Sequence, residues 1–520
     1  MIKLYACPLL EVLTFWTISL VLLTAMHRNV CIPFLVTIML VAVVGSAAVD
    51  VTVHDIDIRS EQAGPQEFLA ARDSASLDSL IRYRMAEYHI PGVASIGLKD
   101  GQIVWNQSYG YAILEDSVPV ADSTLFYLAS ISKTSVAIAI MQVWEQLSFS
   151  LDDDVGTHLG FPVRNPYYPD SVISIRMCMT HMSSINDNWT ILDPLNIQGD
   201  SPIPLGEFLE EYLVPGGVYY SVDNYNPWPP ATQDDYCNMG AAICGYIVEL
   251  LADSFPVWCH DSIFNPLGMD ETAWFLSQLD TNNIAMPYHW DGATYIPYGH
   301  IGKPYYPCGT MRTSSTQLAR LLTAFMQYGV IDDTVRILDS TTVELMTTPQ
   351  YPVLNPEQGL FWYKKYLDGR WIWGHQGWSH GIRARIAYDW SNNTGSVVLT
   401  NGEDINSVTQ IAVALLNYAA QFGVTEAENS VPVSDVRLHQ NYPNPFSSST
   451  NISFSLQSTG DVILKVYDVI GREVATLIDA TMEAGEYAIV WNGAGFPCGV
   501  YYYRLSSAGG IQTRRCIVLK

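Results

Sequence analysis

Basic side chains are scarce. The 520 residues hold 26 Lys and Arg against 52 Asp and Glu, a formal charge of −26 at pH 7. A balance this negative argues against nucleic acid or an anionic membrane as a partner, because both repel it. There is no long acidic tail either; the carboxylates are spread along the chain as solvated surface would have them. Nine cysteines are present and none forms a C-x-x-C pair, so a zinc site or a thioredoxin-like centre lacks its ligands. The run Asp152-Asp153-Asp154 lacks the spacing of an EF-hand loop and reads as a solvated turn. No metal or organic cofactor is implied.

Apolar residues, by contrast, make up 48% of the chain, which excludes a disordered protein and allows two or three domains with a sizeable core. Two apolar runs open it, Leu4–Ala25 and Val30–Val44. Ahead of the second stand Met26, His27 and Arg28, and Ser46-Ala47-Ala48 follows it: a short basic region, an apolar core and a small-x-small cleavage site. The expected start is therefore Met26, with residues 1–48 an export signal cleaved after Ala48 and 49–75 a polar leader. The alternative is a membrane-spanning hairpin, since Leu4–Ala25 is long enough to cross. Export permits disulfides. Beyond the signal lie Cys178, Cys237, Cys244, Cys259, Cys308, Cys498 and Cys516, an odd number, and Cys498 with Cys516 is the best-placed pair because the two flank a terminal hairpin.

Helical spacing of Leu77, Leu80, Ile81 and Met85 predicts a helix over 76–87. Strands Val93–Leu98 and Ile103–Tyr109 follow, joined at Lys99-Asp100-Gly101. Residues 174–330 read as helices with long loops. Among these, the aromatic loop Pro215–Pro230 is read as a pocket rim or, nearly as readily, as an aromatic loop packed on the surface. Strands return at Gly359–Tyr366, Arg370–Trp373, Ile382–Asp389 and Gly395–Asn401, and a helix starts near Ser407. A domain over 76–422 with sheet-forming segments at both ends and helices between reads as α+β: one antiparallel sheet assembled from both ends, flanked by helices, with a helical insert. Residues 423–436 read as a linker, and the regularly spaced short strands of 437–520 as a small all-β sandwich.

The chemistry centres on Ser130 and Lys133. The apolar run Val136–Met141 follows at once, so a helix opening at Ser130 would put both residues on one face. A serine hydroxyl needs a neighbouring base, and a lysine serves where burial or charge lowers its pKa. Alone, S-x-x-K is a weak signal. Tyr236, Asn238 and His375-Gln376-Gly377 supply the remaining parts of acyl transfer. Tyr236 shares the proton with Lys133, Asn238 donates to the substrate, and Gly377 lets a substrate backbone approach a strand edge. The N–H groups of Ser130 and Trp378 form the oxyanion hole.

These residues stand among further runs: Ile90-Pro91-Gly92, Ala129–Thr134, Thr180-His181-Met182-Ser183-Ser184, Asn265–Met269 and Thr400-Asn401. Together they resemble the penicillin-recognising serine hydrolases, in the branch of class C β-lactamases, D-alanyl-D-alanine carboxypeptidases and β-lactamase-fold esterases. The resemblance covers roughly residues 76–420 and implies a serine acyl-enzyme acting on a small peptide, ester or β-lactam. Three departures stand out. His375-Gln376-Gly377 replaces K-T-G, Cys237 takes the middle of the Y-S-N triplet, and Ser184 takes a glycine position; His181 reads as structural. Two other readings stand beside a peptide, amide or ester hydrolase: a true β-lactamase, and an inactive peptidoglycan sensor. Residues 437–520 resemble the sorting domain of type IX secretion substrates, carried by Gln440–Phe446, Tyr467-Asp468, Gly471-Arg472, Trp491 and Gly499-Val500-Tyr501. That implies secretion machinery as a partner and a secreted or cell-surface location, reached through the periplasm.

Overall fold

The computed structural model describes residues 73–519 apart from 148, 332–333, 423–435, 439–440, 442–443, 445, 457–458, 469–471 and 508–509. The export signal, the leader up to residue 72 and nearly all of the linker lie outside the described residues. The chain divides into two compact units, Met1–Phe422 and Gly423–Lys520.

In the first unit Asp73 caps helix α1 (Ser74–Glu87), accepting from the Ser76 N–H. Strands β1 (Gly92–Lys99) and β2 (Gln102–Ile113) meet at Asp100 and Gly101, both in the left-handed region (φ 51° and 78°) that a two-residue hairpin demands. After β3 (Val118–Pro119) come the helices α2 (Ser132–Gln146), α3 (Leu205–Leu213), α4 (Asn238–Leu251) and α5 (Ser315–Met326). The chain then returns to the sheet as β4 (Tyr363–Leu367), β5 (Arg370–Ser379), β6 (Ile382–Asp389) and β7 (Thr394–Thr400), and closes with α6 (Ile405–Ala419).

The seven strands form one antiparallel sheet in the order β4-β5-β6-β7-β1-β2-β3. Its seam is the pairing of β1 with β7, Val93 opposite Thr400 through Lys99 opposite Thr394, which joins the two ends of the unit as the sequence predicts. One face carries α1 and α6, with Leu77, Ile81, Val93, Ile411 and Leu415 buried between them. The other face packs on the main core, where α2 and α4 lie against each other. The aspartate run is a turn tied down by ion pairs: Asp152 with Arg176 at 2.7 Å, and Asp154 with Arg164.

The second unit is two facing sheets around one core. Strands β8 (Val436–Leu438), β9 (Ser449–Leu456) and β12 (Gly485–Asn492) form one sheet. Strands β10 (Gly460–Asp468), β11 (Glu473–Met482), β13 (Gly499–Ser507) and β14 (Gly510–Val518) form the other. Phe454, Leu464, Val466, Trp491 and Tyr503 fill the space between them. The Asn-rich run before β9 acts as a clasp: the Tyr503 hydroxyl accepts from the Asn441 N–H at 2.7 Å, and Asn444 Oδ1 accepts from the Ile517 N–H at 2.8 Å.

The best-placed pair, Cys498 with Cys516, is not bridged; both thiols are free. The register explains this. Cys516 stands opposite Tyr501, three positions along the ladder from Cys498, and three residues of strand span about 10 Å where a disulfide tolerates at most about 7 Å between Cα atoms.

Strand β5 lies close to the turn that precedes α2. A Cβ added at Gly377 would stand 2.2 Å from the Leu128 carbonyl oxygen. Gly377→Ala is therefore expected to cost about 2 kcal/mol of stability, because neither backbone has room to retreat within the packed core. Thermal unfolding of the purified variant checks this; an unchanged midpoint would refute the close approach.

Candidate active site

A strained turn presents Ser130. The short strand Phe126–Tyr127 pairs with Arg312–Thr313, and the Leu128 N–H donates to the Met311 carbonyl at 2.9 Å. Ala129 then adopts φ 46°, a left-handed conformation that costs a non-glycine residue about 1 kcal/mol. A 3₁₀ turn, Ala129–Ile131, carries Ser130, and the α-helix begins only at Ser132. The expected helix start at Ser130 is thus corrected by two residues. The serine and lysine still share a face because the turn runs directly into α2. Lys133 Nζ lies 3.1 Å from Ser130 Oγ, 2.6 Å from Asn238 Oδ1 and 2.8 Å from the Cys308 carbonyl oxygen. Lys133 is 0% exposed and Ser130 is 9% exposed, so the base is sealed in and the nucleophile reaches the surface of a cleft.

Asn238 opens α4 and is oriented by a residue that sequence reading missed. The Asp187 carboxylate accepts from the Asn238 N–H (2.8 Å), from Asn238 Nδ2 (2.8 Å) and from the Met239 N–H (3.3 Å). A carboxylate that accepts must face the amide NH₂, which turns Oδ1 to Lys133. Asn238 therefore gives one N–H to Asp187 and its oxygen to the lysine. Asp187 lies three residues beyond the Thr180–Ser184 run, and its pattern carried no chemistry of its own. The Cys308 carbonyl left no sequence mark, since every residue has one.

The Tyr236 ring stands with its centroid 4.9 Å from Lys133 Nζ and packs on the His181 ring at 4.3 Å. His181 Nδ1 accepts from the Cys237 N–H at 3.1 Å, which fixes the proton on Nε2 and gives the histidine the structural place expected of it. Ser184, where a glycine was anticipated, takes φ 58° and ties its hydroxyl to Asn165 Nδ2 at 2.9 Å.

On the sheet side, β4 covers β5 only from Arg370 to Gly374, so among the described residues no strand pairs with that edge of His375–Ser379. Trp378 and Ser379 line the cleft there. His375 is buried behind it, and its imidazole is held down to about 3 by burial, by Lys133 and by Arg385, against the hydrogen bond that its Nδ1–H donates to the Gln376 carbonyl at 2.7 Å. It is neutral at physiological pH. Gly377 allows β5 to approach the Leu128 carbonyl, so the close contact it permits is to this chain's own backbone.

The cleft has a volume of about 570 Å³. Ser130, Asn238 and Trp378 line it, with Tyr127, Trp189 and Tyr298 as aromatic walls and Asp193, Lys303, Arg383 and Glu403 as charges. Glu403 accepts from the Gly381 N–H at 2.9 Å and meets His289 Nδ1 at 2.7 Å; with burial it pushes the Tyr298 hydroxyl up to about 12. A neighbouring hollow of about 410 Å³ shares Tyr127, Asp193 and Tyr298 and adds Arg312 and His300. No residue of 215–230 lines either space; Tyr219 and Tyr225 pack on α3 instead, Tyr225 donating to the Leu213 carbonyl at 2.8 Å. For these two rings the structure favours packing over a pocket rim. The first unit holds five buried thiols, each pushed up by desolvation where a shift is resolved, Cys178 to about 12.

Comparison with known proteins agrees with this geometry. Residues 77–420 match the family described as Beta-lactamase, and residues 440–519 match the Secretion system C-terminal sorting domain. Protein flp of Staphylococcus aureus (strain MRSA252) is 22% identical over 248 residues, 46% of each chain, so the chain spans about half the length of that curated relative. The octameric penicillin-binding protein homologue of Pyrococcus abyssi superposes with a TM-score of 0.54 at 20% identity, over 86% of this chain and 97% of that one. The D-amino acid amidase of Ochrobactrum anthropi SV3, solved with D-phenylalanine, gives a TM-score of 0.52 at 17% identity, over 66% of this chain and 98% of that one. With the match covering well over half of its length and the Ser130–Lys133 pair at the cleft, the chain belongs to the β-lactamase family, a family of serine hydrolases, and carries a C-terminal secretion sorting domain.

Proposed function

We propose that this protein is a secreted serine hydrolase that forms an acyl-enzyme on Ser130 and cleaves a peptide, amide or ester, D-amino-acid derivatives among them. The observation that carries this reading is the fully buried Lys133 amine 3.1 Å from Ser130 Oγ. In the acylation step Ser130 Oγ bonds to the substrate carbonyl carbon while its proton passes to Lys133, with Tyr236 beside the amine to share it. The N–H groups of Ser130 and Trp378 stabilise the oxyanion, and the proton returns to the leaving amine or alcohol. Water then reverses the sequence and frees Ser130.

The neutral state of His375 supports an ester or amide substrate over a β-lactam, because a neutral imidazole offers no ionic contact to a carboxylate held along β5. The aromatic walls of the cleft suit an acyl group with an apolar side chain. A β-lactamase and a non-turning sensor are the outcomes that would displace this reading.

A fluorophosphonate and a fluorescent penicillin, each incubated with the mature protein, are expected to label the wild type and not Ser130→Ala; the fluorophosphonate adduct persists, whereas an ester substrate turns over. Labelling that survives in Ser130→Ala would overturn the assignment of the nucleophile. A penicillin adduct with no turnover of any ester or peptide would favour the sensor.

His375 also predicts a pH dependence. Its ordinary value of 6.5 falls to about 3 in the folded protein. Below about pH 6.5 the unfolded chain binds a proton that the folded chain refuses, so stability is full above that pH and falls as pH drops towards about 3. Urea unfolding at a series of pH values is expected to show this slope, and His375→Gln to flatten it.

The sorting assignment predicts that a Ser130→Ala protein lacking residues 437–520 stays in the periplasm. Normal export of the truncated chain, read by cell fractionation, would refute it.

A further inference from the structure

We infer that Asp187 is a positioning residue for the Lys133 base: by fixing which end of the Asn238 amide faces the lysine, it turns the amine's lone pair away from Asn238. This rests on the acyl-enzyme reading above. To take the Ser130 proton, Lys133 must be neutral when attack begins, with two N–H bonds and one lone pair. Asn238 Oδ1 (2.6 Å) and the Cys308 carbonyl (2.8 Å) can only accept, so both require an N–H. With those bonds made, a neutral amine has its lone pair left to accept from the Ser130 hydroxyl, whose Oγ lies 3.1 Å from Nζ.

An amide in isolation has no reason to choose this orientation, since its NH₂ would bond a neutral amine equally well. Asp187 removes the choice. Its carboxylate is 6% exposed and already takes the Asn238 and Met239 backbone N–H groups at the start of α4, where the helix dipole favours a negative charge. Only an NH₂ at Asn238 suits such an acceptor, and Nδ2 sits 2.8 Å away. A flipped amide would set two acceptors against each other at Asp187 and draw the lysine lone pair to Asn238. The groups around the amine that titrate or carry charge are Tyr236 and His375, with Asp187 behind Asn238 and Cys237 3.5 Å from Asp187.

The test is the rate of Ser130 labelling by a fluorophosphonate between about pH 6 and pH 10, in the range where a lysine base titrates. Asp187→Asn keeps the shape but frees the amide to turn, and is expected to slow labelling about a hundredfold, the usual cost of a misaligned catalytic group. The exchange Asp187→Asn with Asn238→Asp restores an acceptor to Lys133 and a donor behind it. It should regain at least about tenfold over Asp187→Asn, with its optimum moved to higher pH because a carboxylate now holds the proton on the amine. A merely structural Asp187 would give no such rescue. Asn238→Ala, which leaves Asp187 to cap α4, gives the same comparison if Asp187→Asn does not fold, and is expected to lose about as much rate.

Asp187→Asn or Asn238→Ala within about threefold of wild type, well inside the loss that misalignment brings, would overturn the inference. So would an exchange variant no faster than Asp187→Asn at every pH. A wild type that no probe labels would instead overturn the acyl-enzyme reading and this inference with it, so the two failures are told apart by the wild-type lane.

Discussion

The buried amine of Lys133 is the constraint on which the rest of this fold depends. Water does not reach it, so every N–H it carries needs an acceptor supplied by the protein. The acceptors come from far along the chain: Asn238 lies 105 residues away and the Cys308 carbonyl 175. The helical insert therefore cannot be a loose addition to the sheet. Its helix α4 must return to lie against α2, and the segment 308–313 must run beside the nucleophile turn, where it also accepts the Leu128 N–H and pairs with Phe126–Tyr127. Burial of one amine thus specifies the packing of three separate stretches.

The sheet answers the same constraint from the other side. Pairing of β1 with β7 closes the unit, and β5 then reaches the turn at Leu128 only because Gly377 has no Cβ. Such close contact excludes solvent from His375, and the neighbouring lysine charge adds to the burial; the imidazole is neutral for both reasons.

The fold was largely legible in the sequence because its signals were local. Asp100-Gly101 and Asp368-Gly369 mark their hairpins, and both pairs adopt the positive φ such turns require. The all-apolar helix from Val136 announces burial on every side, and the structure buries each residue from Ser132 to Val143. The site was legible to the extent that its side chains were unusual in spacing, as with Ser130, Lys133 and Tyr236. What escaped was whatever acts through the backbone or through a partner at long range. The Cys308 carbonyl, the orientation of Asn238 by Asp187 and the Leu128 carbonyl under Gly377 have no periodicity and no motif. The aromatic loop stayed open between two readings for a related reason: Tyr219 and Tyr225 look alike whether they rim a pocket or fill a gap on α3, and only tertiary contact decides.

Thiol chemistry in the two units follows from burial in a similar way. A chain with a secretion sorting domain is exposed to oxidising surroundings, yet all seven cysteines of the described residues are free. Reactivity requires thiolate. Burial pushes Cys178 and Cys516 up to about 12 and Cys237, Cys244 and Cys259 upward as well, so these five stay protonated and out of reach. The sandwich accordingly gains no cross-link at its terminal hairpin and must hold its last strand by other means. Asn444 and Phe446 do this, binding the Ile517 N–H and the Ile517 carbonyl, while Asn441 binds Tyr503 of the neighbouring β13. The run that marks the sorting domain in sequence is thus, at Asn444 and Phe446, a clasp on β14. A substitution at either position would loosen the strand itself.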